Sequence, residues 1–285
     1  MPAAEQYTDP LAEHGEGPVW WPGWGGLAWV DMLAGDILRI DGAGPVQRWK
    51  VGPVAAAFRP RRSGGGLVIA TEHEFVLADA FGEPTRTAAG VLNDPTVRFN
   101  DGGCDPTGGF WCGTMAYDQS PGRGELFRLD PDGTVERVLG DVTVSNGLAW
   151  TADGAHAYYI DTPTGRIDLF DADGAAGLSD RRPFVRIDPA DGHPDGLTLD
   201  ADGRVWVALW GGSAVRCYGV DGNLVEVVDL PASKVTACTF GGAELDELFI
   251  TTSRQGDDTG EHPTAGAVFR YRPGVRGVPA STFAS

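Results

Sequence analysis

Short runs of alternating apolar and polar residues recur from one end of the chain to the other. "LAWVDMLAGDILRID", "GGLVIATEHEFVLAD", "GFWCGTMAYD" with "GELFRLDPDG", "AHAYYIDTPTGRIDLFDADG", "RVWVALWGGSAVRCYGVDG" and "ELFITTSRQ" with "AGAVFRYRPG" share one form. Each is a strand, a Gly-containing turn and a second strand that ends near Asp or Gly. A further short apolar piece lies upstream of most of them: "GPVWW", "AAAF", "NGLAW", "DGLTL" and "TACTF". The repeat length is roughly 40–50 residues, the period at which one unit supplies one four-stranded propeller blade. Six units fit the chain, and no amphipathic pattern of helical period persists. The pattern therefore predicts an all-β, six-bladed β-propeller with four-stranded blades around a central channel. A closed ring of blades is one domain, spanning residues 1–285. A β-sandwich is the competing architecture, and the blade-length period favours the propeller.

Composition changes this picture little. With Gly 42 and Pro 20, the chain is rich in the residues that tight turns between short strands require. A net charge of −18 with no Lys/Arg cluster argues against a nucleic-acid partner and disfavours an anionic membrane surface. The N-terminal "MPAAEQYTDP" has neither a basic start nor an apolar core, and no apolar run approaches the roughly 18 residues of a membrane span. Cys104, Cys112, Cys217 and Cys238 lack C-x-x-C pairing and read as reduced thiols. The expectation is a cytoplasmic protein, monomeric or weakly homo-oligomeric, with a small-molecule partner.

Polar residues at the starts of the upstream strands carry the candidate chemistry. "EGPVW" (Glu16), "NDGG" (Asn100), "SNGLAW" (Asn146) and "PDGLTL" (Asp195) each place an acid or amide just before Gly and a strand. Innermost propeller strands line the central channel, so these oxygens from different units converge near its axis. Two carboxylates and an amide carbonyl, completed by water, make an all-oxygen site for a hard divalent cation. Without a cation, the two acids would repel and one would take up a proton. Taken singly, Asp-Gly and Asn-Gly are also ordinary turn signals.

These stretches resemble the SMP-30/gluconolactonase/regucalcin family of six-bladed propellers. "GEGPVW" at 15–20, "RFNDGGCDPTGGFWCGTM" at 98–115, "SNGLAW" at 145–150, "HPDGLTLDADGRVWVA" at 193–208 and "TTSR" at 251–254 carry the resemblance. It implies metal ligands at Glu16, Asn146 and Asp195, and sugar contacts at Arg98 and Asn100. A further substrate-contacting acid falls on Asp118. The implied activity is hydrolysis of an aldonolactone, such as glucono- or xylonolactone, with one divalent metal ion (Ca²⁺, Zn²⁺, Mn²⁺ or Fe²⁺). Such an ion polarises a carbonyl and acidifies water, and Asp195 is placed to act as the catalytic base. Arg98 offers a fixed fork of donors to sugar oxygens.

Other features sharpen or compete with this reading. His14 and His193 lie near proposed ligands and can shape the pocket or move protons. Trp210 is the candidate sugar-stacking platform, and Trp21 and Trp24, bracketing "PG", could cover the channel mouth. Ser145 and Ser213 lack the G-x-S-x-G setting of a nucleophile elbow, which argues against a serine hydrolase. "DADG" and "DPDG" read as turns, since the later ligands of a calcium loop are missing. The alternatives are a metal-dependent esterase or phosphotriesterase, and a calcium-binding propeller without catalysis.

Overall fold

Antiparallel pairing between neighbours in sequence runs throughout the computed structural model, which describes residues 4–42, 44–63, 65–173, 177–257 and 260–285. Four sheets have four strands each, in chain order. The first holds Gly15–Trp21, Gly26–Asp31, Asp36–Asp41 and Gln47–Lys50, and the second Ala57–Pro60, Leu67–Ala70, Glu74–Ala78 and Arg86–Gly90. The third holds Val97–Cys104, Phe110–Ala116, Gly124–Leu129 and Val135–Val142, and the fourth Ser145–Trp150, His156–Asp161, Arg166–Ala172 and Leu178–Arg186. The remaining eight strands form one sheet with two halves. One half is His193–Leu199, Val205–Trp210, Ala214–Tyr218 and Leu224–Asp229; the other is Lys234–Gly241, Glu247–Ser253, Val268–Tyr271 and the N-terminal Glu5–Gln6. A single bridge, Trp210 to Lys234, joins them. The architecture is all-β with curled sheets, consistent with a β-propeller. Among the described residues, helix is limited to three 3₁₀ turns, at Pro22–Trp24, Thr162–Thr164 and Pro189–Asp191.

The leading strand of each four packs against the leading strand of the next, and Lys234–Gly241 packs back against Gly15–Trp21, which closes a ring. The leading strands Gly15–Trp21 and Ser145–Trp150 are mostly buried even though polar residues stand at their starts, whereas the outermost strands, such as Gln47–Lys50 and Leu224–Asp229, are largely exposed or half-buried. Charged side chains on those outer edges deter edge-to-edge pairing. Between sheets lie separate apolar clusters rather than one central core. Trp29, Trp111 and Trp206, all on second strands, are almost wholly buried in them. Each such ring stabilises the packing by roughly 2–3 kcal/mol.

Two sequence expectations resolve here. Trp24 is buried against Phe58, with its indole N–H donated to the Gly65 carbonyl, and Trp21 lies beside it. Trp21 ends the strand Gly15–Trp21 and Trp24 lies in the turn after it, both at the end away from Glu16, so they cover nothing at the Glu16 mouth. The "DADG" at 200–203 is a turn: Asp200 accepts from the backbone of Asp202 and Arg204 and from the Trp206 indole. All four cysteines are free and buried. No helix among the described residues is long and apolar enough to cross a membrane.

Candidate active site

The polar series at the strand starts sits in repeated β-bulges. Pairing skips between Glu16 and Val19, between Phe99 and Gly102, between Ser145 and Leu148, between Pro194 and Leu197, and between Val235 and Ala237. A bulge places extra residues opposite one partner and re-aims their side chains. Asn100, Asn146, Asp195 and Thr236 occupy these irregularities, and Glu16 opens its own. The following glycines serve close packing of adjacent leading strands. A Cβ on Gly147 would stand 2.8 Å from the Asp195 carbonyl oxygen, and one on Gly196 would stand 2.4 Å from the Ala237 Cβ. Carboxylates on second strands fix the chain entering the bulge. Asp31 Oδ1 accepts from Glu13 and His14 N–H, and Asp161 Oδ1 accepts from Thr143 and Val144 N–H.

One hydrogen-bonded path links the amides to the arginine. Asn100 Oδ1 accepts from Arg98 Nη1 at 2.7 Å, while Asn100 Nδ2 donates to the Ser145 carbonyl at 2.8 Å and to Asn146 Oδ1 at 3.0 Å. Asn146 Nδ2 donates to Thr162 Oγ1 at 2.7 Å. Asn100 therefore holds its neighbours and has no free donor left. Arg98 is buried, its Nε has no partner, and its ring neighbour is Tyr117 at 5.6 Å.

The acids are held with raised proton affinity. Burial, then the charge of Asp101, pushes the Glu16 carboxyl up to about 8, against the opposing Gly17 N–H bond and Arg98. Asp195 is driven well above its usual range by burial, Glu16 and Asp101. Asp101 is raised by burial, which Arg59 and the Gly102 N–H oppose. Three buried carboxylates thus share one charged neighbourhood. Asp101 is the residue the sequence reading missed. Strict alternation would send it to the face opposite Asn100, and the bulge keeps both inside.

Glu16, Asp195 and Asn146 fit a hard cation: two buried acids destabilised as anions, plus an amide oxygen with a lone pair to spare. Among the described residues, no three His, Cys, Asp or Glu side chains could hold an ion together. A cation here would need the Asn146 oxygen and water as well.

Above this floor opens a cavity of about 490 Å³, lined by Glu16, Arg98, Asn100, Asn146 and Asp195 together with His14, His193 and Trp210. The proposed ligands and sugar contacts therefore meet in one place, with one exception. Asp118 is exposed, outside the lining, and accepts from the Ser120 N–H. Its neighbours Tyr117 and Gln119 line the cavity instead, and Tyr117 donates to Glu72 Oε1 at 2.6 Å. His14 Nδ1 lies 2.8 Å from Ser253 Oγ, and its ring meets the Trp210 ring at 5.7 Å. Burial and the nearby Arg98 charge depress its pKa to about 3, so this imidazole is neutral.

A family model described as "SMP-30/Gluconolactonase/LRE-like region" matches residues 14–254, which include the whole bulge series. The chain belongs to this family. The zebrafish regucalcin (Danio rerio) is 34% identical over 95% of each chain. A luciferin-regenerating enzyme covers the whole chain with a TM-score of 0.92 and 29% identity. A calcium-binding protein, regucalcin, from Agrobacterium tumefaciens has the same TM-score at 26% identity, covering 100% of this chain and 99% of that one.

Proposed function

We propose that this protein is a divalent-metal-dependent lactonase that opens a sugar lactone to its aldonic acid. The sheets are read as six blades, the eight-stranded sheet supplying two of them. The observation that carries the proposal is the convergence of two buried carboxylates, an amide oxygen and a buried, unpaired arginine in one cavity. Glu16, Asn146 and Asp195 would hold the cation, which when bound polarises the lactone carbonyl and makes water a better nucleophile.

The chain's own residues divide the remaining work. Asp195, as a carboxylate beside the bound cation, would accept a proton from the attacking water. Arg98 has Nη2 free of hydrogen bonds to other described residues, and offers it to substrate oxygen as negative charge develops. Asn100 keeps Arg98 and Asn146 in register. Trp210 provides the flat apolar face for the C–H side of a sugar ring. A second reading, calcium binding without turnover, draws on the description of the Agrobacterium relative. The unpaired Arg98 weighs against it, because a pure ion site gains nothing from a buried cation nearby.

The test is pH-indicator hydrolysis of an aldonolactone panel by metal-stripped protein refilled with Ca²⁺, Zn²⁺, Mn²⁺ or Fe²⁺. Turnover restored by metal and lost in Asp195→Ala supports the lactonase. Tight ion binding with no turnover on any lactone moves the protein to the second reading.

A further inference from the structure

Several hydrogen-bonding groups facing the cavity near the fourth sheet already have partners. Both Asn100 amide protons are donated within the protein, as is the Asn146 proton that Thr162 accepts, and Thr162 gives its own hydroxyl proton to the Pro194 carbonyl at 2.8 Å. The Tyr117 hydroxyl is committed to Glu72. Asp118, the acid expected to read a sugar hydroxyl, points elsewhere.

Beside these satisfied groups runs an apolar strip. Met115 and Val144 form an isolated bridge between the third and fourth sheets, and Thr162, bonded through its N–H to the Val144 carbonyl, leads into Pro163. All three apolar side chains line the cavity. The strip's backbone offers little to a hydroxyl: the Val144 N–H goes to Asp161 and its carbonyl to Thr162. A hydroxyl seated there would lose water and gain no partner from the Met115, Val144 or Pro163 side chains or from the Val144 backbone.

We infer that the preferred substrate is a deoxy-sugar lactone, with a methyl group in place of hydroxymethyl lying on the Met115–Val144–Pro163 strip. This rests on the lactonase reading and narrows it to a substrate class. The polar end of the ring faces Arg98 and the acids, and the C–H end faces the strip. An apolar pocket discriminates against one added hydroxyl by roughly 10- to 100-fold.

The experiment compares lactones that differ by one oxygen: L-rhamnono-γ-lactone with L-mannono-γ-lactone, and L-fucono-γ-lactone with L-galactono-γ-lactone. Each is assayed on metal-loaded wild type, Val144→Thr and Pro163→Ser. Val144→Thr keeps the side-chain shape while adding a hydroxyl, and Pro163→Ser changes an exposed turn should the first variant fold poorly. The expected result is a kcat/KM at least ~10-fold higher for the deoxy member of one or both pairs, with the ratio falling in the variants. Equal or reversed ratios in both pairs overturn the inference while leaving the lactonase intact. A preference that neither variant changes overturns its assignment to this strip. Failure to open any lactone with any metal overturns the lactonase reading itself, and the inference with it.

Discussion

Replacing Asn100 with alanine separates a residue that positions the site from one that reads substrate. The wild-type amide makes three hydrogen bonds, of 2.7, 2.8 and 3.0 Å, to Arg98, Ser145 and Asn146. Alanine strands the Ser145 carbonyl and Asn146 Oδ1, while Arg98 Nη1 keeps its bond to the Phe99 carbonyl. Each buried group left without a partner costs about 1–3 kcal/mol, so the variant should lose about 3 kcal/mol in total. For a chain of this length that is a melting temperature lower by roughly 5 °C. Asn146 also loses one of the two contacts that orient its amide, which should weaken cation binding by roughly 10- to 100-fold. Differential scanning calorimetry and calorimetric titration of Ca²⁺ into stripped protein measure the two effects. If cation affinity is unchanged and only KM for the lactone rises, Asn100 is a hydroxyl reader and the positioning argument is wrong.

Asp195→Asn should stabilise metal-free protein by roughly 1–2 kcal/mol and so raise its melting temperature, because it removes one of three mutually repelling buried acids; it should also abolish stabilisation by added Ca²⁺. A lower melting temperature without metal would contradict the repulsion. The raised carboxyl of Glu16 binds its proton more tightly folded than unfolded, so its contribution is complete below about pH 4.5 and is lost as pH climbs towards about 8. Metal-stripped protein should therefore melt lower at pH 8 than at pH 5, and saturating cation should flatten that slope; thermal melts across this range test it. Gly196→Ala would bring a Cβ to 2.4 Å from the Ala237 Cβ and 2.8 Å from its Cα, so two leading strands must part at a cost of about 1–3 kcal/mol. Gly90→Ala, with open space around it, is the control that should melt almost as wild type.

Strand alternation and the repeat were legible because every unit must bury the same faces. Pairing partners between distant units were not, which is why the clasp of Glu5–Gln6 on Val268–Tyr271 and the merging at Trp210 and Lys234 appear only in the structure. A two-residue strand is too short to carry a period. Glu16, Asn100, Asn146 and Asp195 could be singled out because their polar side chains recur at one place in successive units, and the structure brings them to one cavity together with Arg98, which only the family resemblance had pointed to. Asp101 was hidden by a bulge, since extra residues break the alternation from which its direction would be read. Asp118 failed for a related reason: turn geometry from Ala116 to Ser120, with Gln119 at φ 57°, decides which side chain faces inward. Trp24 looked like loop because Pro22 and Gly23 precede it, yet its indole found a buried place beside Phe58.

The seam where the ring closes has a temporal meaning for synthesis. Glu16 leaves the ribosome early, but its surroundings across the seam are translated last. Thr236 reaches the Gly15 carbonyl over a separation of 221 residues, and Ser253 reaches His14 over 239. Long-range pairings of this kind are slow to form and leave strand edges open meanwhile. A nascent chain can therefore stack its early sheets while its acids stay solvated and far apart. Under the metal-dependent reading proposed above, cation capture would come only once the ring is closed, and protein without the ion would be loosest at the seam.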